Sequence, residues 1–326
     1  MKVIVSFSGG KDSQASLIWA CKKFGAENIE AVFCDTGWEH ELTYKHVLEV
    51  VEKLNVKHVT VRSKKYKNFV DMAVKKKRFP STKARFCTEE LKTKPMVDYI
   101  LDHKEHLFIV QGIRNDESDT RKSALESCTY FRFYFEPYLS NSLIVQKFEH
   151  REKLSLVQKV KLAKAKMRLE AGKEDYKFHT YRKKEVIEWR KEFCDDIYRP
   201  VLKNTAQEVI DYILQNGQKP NPLYYMGFSR VGCFPCIMCR HQEIKNISGS
   251  FPEHIEKLKK AEVEVGRSFF PPKYIPDFYC SGEDKGKKFP LVADVVKYVQ
   301  GDLNQTELFK EPESDGRCMS VYAICE

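Results

Sequence analysis

The feature that most constrains this chain is Ser8-Gly9-Gly10-Lys11-Asp12-Ser13. It stands between an apolar run, Lys2-Val3-Ile4-Val5-Ser6-Phe7, and a segment from Ser13 to Phe24 that carries Leu17, Ile18, Cys21 and Phe24 at helical spacing. That order predicts a strand, a tight loop and a helix. Two glycines let backbone N–H groups turn inward as an anion nest, and the positive end of the following helix points into the same space. Ser8, Lys11 and Ser13 add hydroxyl and ammonium donors for a polyphosphate, while Asp12 can cap the helix or help hold Mg²⁺. A plain glycine turn is the bland alternative. The spacing is neither that of a Walker GxxxxGK loop nor that of a dinucleotide GxGxxG loop.

Downstream segments repeat the alternation. Glu30 to Cys34 predicts a second strand, and Glu41 to Leu54 a helix with Tyr44, Val47, Leu48, Val51 and Leu54 on one face. Lys57 to Arg62 predicts a third strand, Glu89 to Leu101 a helix, and Leu107 to Gln111 a buried strand. Strands alternating with helices predict an α/β fold, a parallel sheet flanked by helices. Thr205-Ala206-Gln207-Glu208 fits a capping box opening a helix that runs to Gly217. Residues 147–192 differ, with fifteen Lys or Arg against eight Asp or Glu, and predict a helical insertion with a solvated basic face. The expected organisation is a domain over 1–240, interrupted at 147–192, followed by a C-terminal extension over 241–326 of unassigned fold.

Composition narrows the class. Among 326 residues, 42% are hydrophobic and 31% charged, which excludes disordered and fibrous chains. No apolar run approaches the roughly 18 residues of a spanning helix, and Met1 leads into structure without a signal-peptide core, so a cytoplasmic protein with no membrane partner is expected. The eleven cysteines lack the regular spacing of a disulfide scaffold. Cys233-x-x-Cys236-x-x-Cys239 has metal-ligand spacing, because two-residue gaps let thiolates converge on one centre, with buried free thiols as the alternative. Cys21, Cys34, Cys128 and Cys194 are expected in the core.

Two further groups of residues carry chemistry. Asp35, at the carboxyl end of the second strand, can accept from a ribose hydroxyl or an amine, or form an Asx turn. Arg114 and Arg121 can grip phosphate or sulfate bidentately with Ser118 as a further donor, or form surface ion pairs with Asp116, Glu117 or Asp119. In the insertion, Lys159, Lys161, Lys164, Lys166 and Arg168, then Arg182-Lys183-Lys184 beside Tyr181 and Trp189, can follow a nucleic-acid backbone, or form only a solvated helix surface.

Residues 8–13 match SGGxDS, the signature of the PP-loop ATP pyrophosphatases, which the chain therefore resembles. Within that superfamily it is most similar to the phosphoadenosine phosphosulfate (PAPS) reductase family. Asp35-Thr36-Gly37 resembles that family's DTG element, and Gly112-Ile113-Arg114 with Glu117-Ser118 and Arg121 its GxRxxES substrate loop. Asn221-Pro222-Leu223-Tyr224 through Gly232-Cys233-Phe234-Pro235-Cys236 resembles its NPLY and GCxPC elements. The resemblance implies that Ser8 to Ser13, Asp35, Thr36, Gly37, Gly112, Arg114, Ser118 and Arg121 bind ATP or a related adenine nucleotide, with Lys11, Asp12 and Arg114 catalytic. It also places Cys87 where iron–sulfur members keep upstream ligands, which implies a [4Fe–4S] cluster held by Cys87, Cys233, Cys236 and Cys239, with zinc as the alternative. Phe86 stands where such members usually have a second cysteine.

The reductases end in an ECGLH tail, which this chain lacks; Cys325 is a candidate for that nucleophile, with an incidental tail cysteine as the alternative. An intact SGGKDS with no ECGLH favours cleavage of ATP to AMP and pyrophosphate, adenylating an acceptor for sulfur transfer or nucleic-acid modification, as in the similar iron–sulfur ATPases of DNA phosphorothioation. A cysteine desulfurase or a thioredoxin-like protein is the implied sulfur donor. A PAPS or adenylyl-sulfate reductase making sulfite, and a non-catalytic nucleic-acid-binding protein that holds nucleotide, are the alternative functions.

Overall fold

The computed structural model describes residues 1–284 and 286–301, so Cys318 and Cys325 lie outside the described residues. Six strands, β1 (Lys2–Ser6), β2 (Ile29–Cys34), β3 (Lys57–Val61), β4 (Leu107–Gln111), β5 (Ser127–Thr129) and β6 (Asp195–Tyr198), form one sheet. Their order is β3-β2-β1-β4-β6-β5, all parallel except β5, which pairs antiparallel to β6 at the edge. The expected α/β fold is therefore present, and the central strands read as apolar runs because helices cover both faces.

Alternation along β1 shows how the cover divides. Val3 and Val5 face helices α1 (Lys11–Phe24) and α2 (Glu41–Lys53), packing with Leu17, Ala20, Val47 and Val50. Ile4 faces the other layer, with Met96, Val97 and Ile100 of the Lys94–Leu101 helix and Val186 and Trp189 of the Lys183–Glu192 helix. The basic segment is thus not uniform. Its last helix seals the sheet, whereas the Leu156–Glu170 helix, opened by the Ser155–Gln158 capping box, buries only Ala165 against Ile144 and Phe148.

The C-terminal residues, whose fold the sequence left open, form helices His241–Ser250, Pro252–Val265 and Val292–Gly301 and a short hairpin. They share a single apolar cluster with the preceding residues: Ile244, Leu258, Phe269 and Val292 pack with Trp38, Phe69, Leu223 and Phe234. Cys280 is buried in that cluster, while Cys194, expected in the core, is exposed because it lies just before β6 at the sheet's rim.

Glu30 on β2 is buried, yet Lys57 (2.7 Å), Lys2 (3.1 Å) and the Tyr99 hydroxyl converge on its carboxylate. Burial would raise its pKa; the hydrogen bonds from Lys57, Tyr99 and Lys2 outweigh that and bring it from 4.5 to about 2. A depressed carboxylate contributes stability above its unfolded pKa and loses it as pH falls through the folded value. Glu30 should therefore contribute about 3 kcal/mol at neutral pH, lost between pH 4.5 and about 2. Thermal melts of Glu30→Gln and wild type across that window should converge toward the acid end; a constant gap at all pH values would refute the contribution.

Candidate active site

The chain leaves β1 on one side for β2 and β3, then returns to β4 on the other side, so β1 and β4 flank the switch point where open α/β sheets bind ligands at their carboxyl ends. Ser6 pairs with Gln111 at that edge, and the SGGKDS loop and Gly112-Ile113-Arg114 both begin there. The loop is self-braced: Ser8 N–H donates to Ser13 Oγ at 3.1 Å, and Ser13 Oγ donates to the Gly10 carbonyl at 2.8 Å. Gly9 has φ +75°, and a Cβ there would stand 2.9 Å from Val47 Cγ2. Among the described residues the Gly9 and Gly10 amides donate to nothing, which leaves them available to an anion.

The NPLY element closes this loop from 212 and 213 residues away. Tyr224 OH accepts from the Lys11 amide at 3.0 Å and its ring lies 5.3 Å from Lys11 Nζ, while Asn221 Nδ2 donates to the Gly9 carbonyl at 3.2 Å. Lys11 is buried with its ammonium 3.5 Å from Asp12 Oδ2, and Arg114 Nε donates to Asp12 Oδ1 at 2.6 Å. Asp12 makes no cap hydrogen bond at the start of α1; it joins the loop's lysine to the substrate-loop arginine instead.

Arginines gather around this point. Arg114 is buried, and although burial acts against its charge, Asp12 and Asp116 raise its pKa. Arg121 pairs with Glu117 and is half-buried. Burial depresses its pKa, and Arg230, Arg85 and Arg114 act in the same direction against Asp12. Three further guanidiniums within electrostatic reach of Arg121 give this side of the loop a positive field suited to an anion. Ser118 is exposed on the same loop.

The DTG element turns inward on itself. Asp35 accepts from Gly37 N–H (2.8 Å), Tyr44 OH (2.7 Å) and Arg62 (2.6 Å), so its carboxylate is already used, in part by the Asx-type contact. Thr36 donates its N–H and its hydroxyl to Glu39, and its Oγ1 lies 3.8 Å from Cys233 Sγ. The strand ends, Ser8, Glu39 and Lys92 line a cavity of about 180 Å³ together with Tyr130 and Gly232. Lys92 sits in a π turn, Glu89–Thr93, where the wider helix places it toward the cavity. Its pKa is raised chiefly by Cys233, with Glu39 adding to the effect. Lys92, Glu39 and Tyr224 were not singled out as site residues from sequence, since a Lys within a predicted helix and the residues after a DTG look ordinary locally. Cys34, expected in the core, lines this cavity.

The Cys236 sulfur lies within electrostatic reach of Cys87, Cys233 and Cys239. Burial raises all three partners, Cys233 to about 11. Among the described residues, the only three His, Cys, Asp or Glu ligand atoms within 4.8 Å of one another belong to His40, Glu41 and His254. No three of the four cysteine sulfurs are mutually within that distance.

The phosphoadenosine phosphosulfate reductase domain matches residues 2–129 and 142–239. The chain belongs to that family. An uncharacterized 37.8 kDa protein of Escherichia phage 186 is 28% identical over 388 aligned positions, covering 99% of this chain and 96% of that protein. A 7-cyano-7-deazaguanine synthase of Lysinibacillus sphaericus is 42% identical over 57 residues, 18% of this chain and 25% of that enzyme. A solved phosphoadenylyl-sulfate (PAPS) reductase of Candida auris, as a phosphate complex, aligns at TM-score 0.42 and 12% identity over 72% of this chain and 83% of that one. Family membership places the chain among PP-loop enzymes. No helix among the described residues is long and apolar enough to cross a membrane.

Proposed function

We propose that this family member binds ATP at the SGGKDS loop and cleaves it between the α and β phosphates, releasing pyrophosphate and passing AMP to an acceptor. The observation that carries the reading is the convergence of Lys11, Asp12 and Arg114 on a loop whose Gly9 and Gly10 amides are open, at the switch point of the sheet. Pyrophosphate leaving needs charge stabilisation at the β and γ oxygens, which Lys11, the loop amides and the arginines supply from a braced frame. Mg²⁺, which keeps most of its waters and takes few protein ligands, would enter with the nucleotide's phosphates, and Asp12, whose oxygens face Lys11 and Arg114, is the carboxylate nearest to hand in the loop. Incubation with ATP and Mg²⁺ should yield AMP and pyrophosphate; ADP and phosphate as main products would sink the reading.

Cys87, Cys233 and Cys239 each lie within electrostatic reach of Cys236, a set of four thiols of the kind an iron–sulfur cluster takes. Cys87, Cys233, Cys236 and Cys239 would hold a [4Fe–4S] cluster, which when bound supplies an electron or carries sulfur. Lys92 would place a positive charge between that group and the nucleotide, and Thr36 would pack against Cys233. Anaerobically purified protein should contain iron and acid-labile sulfide in near-equal amounts, and Cys236→Ser should lose most of both. Stoichiometric zinc in a colourless protein would refute the cluster.

The family itself keeps a second reading in play, reduction of PAPS to sulfite with a thiol donor. Thiol-dependent sulfite formation abolished in Cys325→Ser would favour it over ATP cleavage.

A further inference from the structure

A second cleft, of about 550 Å³, opens beside the catalytic cavity, and Thr93 lines both. Its walls combine Tyr134, Tyr138, Phe178 and His179 with Arg85 and Lys94. The Tyr138 ring stacks on His179 at 5.0 Å, inclined by 27°, and Tyr138 is 46% exposed, so the pair presents a flat aromatic surface beside the opening. Burial lowers the pKa of His179 and so favours its neutral ring. Lys94 lies 5.3 Å from the Tyr181 ring centre, and Arg85 is within electrostatic reach of Arg121 in the phosphate-loop cluster. The cleft therefore offers ring faces to a planar group, with the Arg85 guanidinium available to a phosphate, while Lys94 is held by Glu89 at 3.2 Å and Glu90 at 2.9 Å.

The cleft is also the root of the basic insertion. Tyr138 N–H donates to the Lys177 carbonyl at 3.0 Å and His179 N–H to the Phe133 carbonyl at 2.9 Å, closing the segment that carries the Leu156–Glu170 helix. On that helix Lys159, Lys161 and Lys164 are exposed and form no ion pair among the described residues, unlike Lys166 and Arg168, which pair with Glu149 and Asp175. Unpaired lysines on a helix whose segment is rooted at an aromatic cleft suit a strand whose phosphates meet the lysines and whose unpaired base meets the rings.

We infer that this cleft receives an unpaired base of a nucleic-acid strand, stacked against Tyr138 and His179, with the strand's phosphates running from the insertion lysines to Arg85. The inference rests on the ATP reading only in taking that strand to be the acceptor; binding itself is measurable without turnover. A base held here lies across Thr93 from the cavity beside the SGGKDS loop. The volume suits one nucleotide, since small-ligand sites span about 300–1,000 Å³.

The test uses the full chain with fluorescein-labelled single strands of about 15 nucleotides, in DNA and RNA arms, one position carrying 5-iodouracil for photocrosslinking. The expected results are a crosslink at Tyr138 or His179, affinity about 10-fold weaker in Tyr138→Ala and restored in Tyr138→Trp. Lys161→Glu should weaken binding and flatten its salt dependence without moving the crosslink. Unaltered affinity in Tyr138→Ala, a crosslink elsewhere, or equally tight binding of duplex would each overturn the inference. So would a Tyr138→Ala variant with a raised KM for ATP and unchanged strand affinity, which would assign the cleft to the mononucleotide's own adenine. Strand binding at Tyr138 with no pyrophosphate release would leave the base site standing and remove the ATP reading instead.

Discussion

Lys11→Ala is expected to slow pyrophosphate release from ATP by about 10²–10³-fold, the range seen when one preorganised donor to a developing anion is removed. Lys11 is buried at the first position of α1, its amide is held by Tyr224 OH, and its ammonium is held between Asp12 at 3.5 Å and the Tyr224 ring at 5.3 Å. Asp12 retains Arg114 at 2.6 Å when the lysine is gone, and the loop keeps its Ser8–Ser13 bracing. The defect should therefore appear in turnover with the melting transition nearly unmoved. Pyrophosphate assays paired with thermal melts separate the two: a large fall in stability with proportionate loss of activity would make Lys11 a structural residue.

Gly112→Ala should do the opposite and damage the frame itself. A Cβ at position 112 would stand 2.3 Å from the Asp12 carbonyl oxygen and 2.5 Å from Ser13 Cα, both backbone atoms of the first turn of α1. Neither can rotate away, so β4 and α1 must separate. The expected cost is about 3 kcal/mol, the upper part of the range for overpacking, together with loss of nucleotide binding as Lys11 and Arg114 move apart. Gly232→Ala is the matched control, because a Cβ there meets nothing within 4 Å. Chemical denaturation should show Gly112→Ala clearly destabilised and Gly232→Ala close to wild type; equal stability of all three would mean that the close approach of strand and helix is not needed.

Local pattern predicted the elements that build the site and missed those that finish it. The apolar run before Gly9 and the helical spacing after it reappear as β1 and α1, and Thr205 caps its helix through Glu208 as the capping box predicts. The predicted Glu89–Leu101 helix is present, but its first turns are a π turn, and a one-residue change of winding decides that Lys92 faces the cavity. Asp35 shows the opposite limit: a carboxylate at a strand end was legible, but its engagement by Gly37, Tyr44 and Arg62 was not. Cys325, proposed from sequence as a nucleophile, lies outside the described residues.

Sequence alone determined where a phosphate loop, a parallel sheet and a cysteine triplet would lie, because turn chemistry, burial on both faces and ligand spacing are all short-range properties. The tertiary structure decided which distant groups complete them. Tyr224 reaches the Lys11 amide across 213 residues, Arg114 reaches Asp12 across 102, and the C-terminal helices share a core with Trp38 rather than forming a separate body. Such meetings depend on strand order and on the path of each crossover, and no periodicity within a single segment encodes them.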